Sequence, residues 1–162
     1  MTEISQTEIF QFEQDFADSL RCVPMRVRYN LDTCGVKLKL THWHALSRGD
    51  RQLLLDLPCQ SEAEIAAYRQ RVHDLVAAQG GDRPADLPID PQPAWMNADQ
   101  IPDSVQQQGQ RVGVSLTPQQ WGRLAPLQRF ALIKLSQSSH EHQNYLPALR
   151  EFGVLESAGS EA

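Results

Sequence analysis

Three cysteines, two close histidine pairs and a run of basic residues are the side chains with chemistry to offer. Cys22, Cys34 and Cys59 could hold a soft metal or cycle a thiol, but no Cys-x-x-Cys pair is present. If residues 24–34 are helical, Cys22 and Cys34 lie at opposite ends, about 18 Å apart at 1.5 Å per residue, too far to share an ion. Cys34 with Cys59, helped by a histidine, stays open as a metal or redox site. Ordinary buried or half-buried thiols are the simpler expectation. His42-x-His44 and His140-x-His142 look like ligand pairs. Residues two apart on a helix point about 200° away from each other, however, and a helical metal pair wants i, i+4. These histidines are expected to face solvent singly.

The basic run is Arg21, Arg26, Arg28, Lys37 and Lys39, opposed only by Asp32. That stretch carries about +4 in a chain of net charge -5, which leaves about -9 for the remainder. Arginine suits carboxylate and phosphate especially well, so these five are the candidate partner- or anion-binding residues. No nucleophile–base–acid set, glycine-rich phosphate loop or spaced carboxylate pair stands out. A catalyst is not expected.

The elements that must position these residues emerge from comparing the chain with itself. A gapless shift of 78 residues lays Val23–Pro58 on Ile101–Ser136, matching Pro24 with Pro102, Gly35 with Gly113 and Trp43 with Trp121. Arg51 then meets Arg129 and Leu54 meets Leu132. The cysteines fall on Gln100, Val112 and Gln137, and most of the basic residues on neutral ones, so both belong to one copy. The tryptophans read as core anchors. The paired arginines call for a carboxylate partner or helix-end carbonyls.

In chain order, Ser5 and Glu8 read as a capping box before a helix with Ile9, Phe12, Phe16 and Leu20 inward and Glu13, Asp15 and Asp18 toward solvent. Residues 23–32 alternate like a strand, but their second copy keeps only the helical set. A helix is therefore expected, with Pro24 and Pro102 in the first turn and the glycines just beyond the end. Val36–Leu40 should be an extended connector. Thr117-Pro-Gln-Gln120 and Ser47–Asp50 are further caps; the helix after Ser47 should carry Leu53, Leu54 and Leu57. Ser61-Glu-Ala-Glu64 opens a longer helix with Ile65, Tyr68, Val72, Leu75 and Val76 on one face. Tyr145, Leu146, Leu149 and Phe152 suggest a last helix.

The expected fold is all-α: two pseudo-repeated helical modules, about 23–58 and 101–136, joined by a long helix and a Pro-rich linker. The halves are 8–80 and 104–154, the linker 81–103 with Trp95 as an anchor, and the tail 155–162. The net acidity argues against bulk nucleic-acid binding, although paired short helices can mimic helix-turn-helix spacing. Neither a signal peptide nor a run of the roughly 18 apolar residues a membrane span needs is present, and three irregularly spaced cysteines fit a reducing compartment. A cytoplasmic protein is expected, with no nucleic-acid or membrane partner and no cofactor.

The run FQFEQDFADSLRCVPMRVRYNLDTCGVKLKLTHWHALSRGDRQLLLDLPC resembles the nitrate-reductase-associated protein family of cyanobacteria, as do GVSLTPQQWGRLAPLQRFALIKLS and HQNYLPALREFGV. The resemblance spans roughly residues 10 to 154, and its most specific pieces are Arg21–Met25 and Leu31–Gly35. It implies a non-catalytic accessory or maturation factor for assimilatory nitrate reductase. The implied partners are nitrate reductase or molybdenum-cofactor synthesis proteins. It carries over no ligand or catalytic residue.

Overall fold

A computed structural model describes residues 9–16, 18–80, 82–137 and 142–154. Mostly α-helical, the chain forms two compact units, Met1–Asp90 and Pro91–Ala162.

The first unit opens with a 3-10 turn, Gln11–Phe16, where a longer amphipathic helix was expected. The cause lies downstream. Helix α1, Met25–Cys34, has Pro24 as its N-cap rather than in its first turn, and no side chain of its own caps it. Its first amide therefore lacks a local acceptor. Glu13 supplies one: Oε2 accepts the Met25 amide at 2.8 Å and Oε1 the Phe10 amide at 3.3 Å. This carboxylate, expected in solvent, is 4% exposed. Asp18 is exposed as expected, whereas the Ser5–Glu8 box and the side chain of Asp15 lie outside the described residues.

Leu20 follows with φ 52, a left-handed conformation costly for a branched side chain. Complete burial of Leu20 offsets that strain, and its carbonyl accepts Trp43 Nε1 at 2.7 Å. At the other end of α1, Gly35 stands at φ 78. A Cβ there would meet Leu87 O at 2.9 Å and Ile89 Cγ1 at 2.8 Å, so only glycine fits.

Val36–Lys37 forms β1 and pairs antiparallel with β2, Ala85–Asp86. An all-α reading missed this ladder because two residues carry no measurable periodicity. It is held by Arg69, which donates to Cys34 O at 3.1 Å and Gly35 O at 2.9 Å and pairs with Asp86. Three helices complete the unit: α2 (Leu40–Ala45), α3 (Arg48–Asp56) and α4 (Glu62–Ala78). Leu55, rather than Leu53, joins Leu54 in the core. The expected Ser61–Glu64 box forms, with both reciprocal bonds near 3 Å. Tyr68, Val72 and Val76 of α4 are buried, and Tyr68 donates to Leu54 O at 2.7 Å.

The second unit contains α5 (Asp103–Arg111), α6 (Pro118–Arg123), α7 (Pro126–Gln137) and α8 (Tyr145–Glu151). Pro102 is again an N-cap rather than a first-turn residue. The Thr117–Gln120 box forms. Starts of α1 and α5, α2 and α6, and α3 and α7 each differ by 78 positions. Trp121 is fully buried and donates to Asn97 O at 2.8 Å, while Trp95 meets Phe130 edge-on at 5.0 Å.

Glu13→Ala should lower the thermal midpoint of the first unit. Two buried amides would lose their acceptor, at about 1–3 kcal/mol for each unsatisfied group. Thermal unfolding followed by circular dichroism tests this; an unchanged midpoint would show that Glu13 is not the cap.

Candidate functional site

The five basic residues do not form one continuous face. Arg26 and Arg28 are two apart on α1 and so point about 200° from each other. Both are half-buried. Arg26 Nε is shielded from solvent without a hydrogen-bond partner. Arg21, Lys37 and Lys39 are exposed, and none of the three makes an ion pair among the described residues.

The extended stretch from Val36 explains how the lysines come to stand out. Val36 is buried, Lys37 exposed, Leu38 packed against the core and Lys39 exposed, the period-2 alternation of a strand. Leu40 would be the next inward position. Helix α2 begins there instead, and Leu40 is left 56% exposed. Its chain neighbours Lys39 and Thr41 line a shallow depression of about 190 Å3 together with His42, Ala45, Val76, Gln79 and Asp82.

His42 departs from its expected solvent-facing role. It is 8% exposed, and its Nδ1 accepts the Lys39 amide at 3.1 Å, closing the first turn of α2. Because Nδ1 accepts, the neutral ring carries its proton on Nε2. His44 is exposed, with Nε2 3.1 Å from Arg21 O. His140 and the side chain of His142 lie outside the described residues.

The cysteines are dispersed by burial. Cys22 is exposed rather than half-buried, while Cys34 and Cys59 are buried. Desolvation raises Cys34 to about 11 and Cys59 to about 12, the latter helped by its neighbour Cys34. Metal ligation and thiol exchange use the thiolate, which burial disfavours at both positions. Among the described residues no three His, Cys, Asp or Glu side chains assemble as a metal-ligand set. The two buried thiols point instead at backbone, Cys34 Sγ to Leu31 O at 3.7 Å and Cys59 Sγ to Asn30 O at 3.8 Å.

Arg51 and Arg129 settle on helix-end carbonyls. Arg51 reaches Trp43 O and His44 O at 3.1 Å each and Leu20 O at 3.4 Å. Arg129, 5% exposed, reaches Trp95 O and Leu124 O at 2.7 Å each and Trp121 O at 3.3 Å. Both are structural.

Leu40 was not singled out from the sequence, although a signal existed. In the 78-residue sequence match it falls on Pro118, which is likewise exposed. The contributions of Val76, Gln79 and Asp82 arise from tertiary packing and have no sequence signature.

These features define a small, mostly α-helical protein in which buried Glu13, His42 and Arg129 bond the backbone and two exposed lysines precede an exposed leucine. The chain belongs to the family of conserved nitrate reductase-associated proteins, whose model matches residues 9–152. No curated protein and no solved structure matches it. No described helix is long and apolar enough to cross a membrane.

A thiol reagent such as DTNB should modify one cysteine rapidly in the native protein and the other two only on unfolding. Rapid modification of all three would contradict the burial of Cys34 and Cys59.

Proposed function

We propose that this chain is a non-catalytic accessory factor that docks on assimilatory nitrate reductase in the cytoplasm and assists its maturation. The observation that carries the reading is the exposure of Arg21, Lys37 and Lys39, with no ion pair among the described residues, in a protein whose remainder is acidic. Membership of a family described by its association with nitrate reductase supports the choice of partner. Exposed cations steer encounter with an acidic surface and lose that effect as salt rises. The same cations could meet the phosphate of a molybdopterin cofactor during insertion, with Arg26 and Arg28 completing the set. The depression beside Lys39, about 190 Å3, is smaller than the roughly 300–1,000 Å3 of small-molecule sites. It suits a partner's side chain better than an enclosed cofactor, which favours protein docking as the primary role.

Replacing Arg21, Lys37 and Lys39 together by Ala should leave folding intact, because exposed substitutions typically change stability by within about 0.5 kcal/mol. Nitrate reductase activity should fall severalfold in cells whose own copy is replaced by this variant. Full activity, with the variant present at normal abundance, would overturn the basic docking face.

A further inference from the structure

We infer that the contact on nitrate reductase is centred on the ridge Lys37–Leu40 and the adjoining depression between α2 and the end of α4, and that it receives an acidic segment bearing an apolar side chain. This rests on the function proposed above and narrows it from five dispersed cations to one composite surface.

Three observations converge on this place. Among the described residues, Leu40 is a large apolar side chain left substantially exposed, at 56%. It lies beside two exposed lysines that make no ion pair among the described residues. The depression next to it combines apolar material from Ala45 and Val76 with the polar side chains of Thr41, His42 and Gln79. An exposed leucine alone would be unremarkable. An exposed leucine that follows two exposed cations, with its chain neighbours Lys39 and Thr41 lining a recess, has the layout of an interface, with an apolar centre and a charged rim.

The charges fix the occupant's chemistry. Lys37 and Lys39, exposed just before Leu40 in the chain, attract carboxylates. Asp82 and the carbonyl end of α4, which line the same depression as Lys39, repel them. An apolar side chain would cover Leu40 and enter the recess, while acidic neighbours would meet the lysines. Arg26 belongs to α1 and is half-buried, so it is not part of this ridge.

The experiment measures binding of the purified full chain to purified nitrate reductase, comparing wild type with Leu40→Asp and with Lys37→Glu/Lys39→Glu. Asp at the first position of α2 is compatible with a helix N-terminus, and circular dichroism verifies the fold of each variant. We expect each variant to bind at least tenfold more weakly. Wild-type binding should weaken with added salt, and the lysine variant should lose that dependence. Undiminished binding by folded Leu40→Asp would overturn the ridge and leave the accessory reading standing. No binding by wild type in either the cofactor-free or the cofactor-loaded enzyme would overturn both.

Discussion

Each unit depends on an arginine that gathers backbone carbonyls at the corner between a short helix and the longer one after it. A helix end leaves carbonyls without intrahelical partners, and a tight corner brings two chain segments together where water has little access. Arg51 and Arg129 enter from the first turn of the following helix and spread their donors over those carbonyls. The planar guanidinium can do this from one position, as an ammonium cannot. Hydrogen bonds to a charged group contribute about 1.5–3 kcal/mol each, a large share of the roughly 5–15 kcal/mol that stabilises a typical domain. In the first unit the same corner also holds Leu20 in its strained conformation, through Trp43 Nε1 and Arg51.

That constraint reaches the candidate site through α2. Trp43 is fixed in the core and His42 is fixed against the Lys39 amide, so the start of α2 has little freedom. With Val36 and Leu38 packed inward, Lys37 and Lys39 are driven outward and Leu40 is displaced from the core. The exposed ridge is thus a by-product of where a strand must give way to a helix. Arg69 adds to this by tying the carbonyls after α1 to Asp86 on β2, and that pairing holds the Asp86 carboxyl below its ordinary range.

Much of the helical layout was legible because it is written in local chemistry. Ser61–Glu64 and Thr117–Gln120 are caps whose side chains need only their own turn, and the tryptophan and arginine pairs signalled a shared corner. What escaped depended on distant neighbours. Glu13 looked like a solvent residue on an amphipathic helix, yet α1, starting after a proline without a capping side chain, drew it inward. His42 looked exposed because its cap partner is a backbone amide, which no composition reveals. The ladder of β1 and β2 depends on segments nearly 50 residues apart. The basic run was visible as charge, but its division into exposed Arg21, Lys37 and Lys39 and half-buried Arg26 and Arg28 required the helix phase and the packing.

The central claim is that nitrate reductase covers the start of α2. Hydrogen–deuterium exchange of the full chain, alone and mixed with purified nitrate reductase, tests it directly. The account predicts slowed exchange in residues 37–45 and 76–82 of the complex, with the amides of α7 unchanged. Protection confined to other segments, or none at enzyme concentrations that saturate binding, would contradict it.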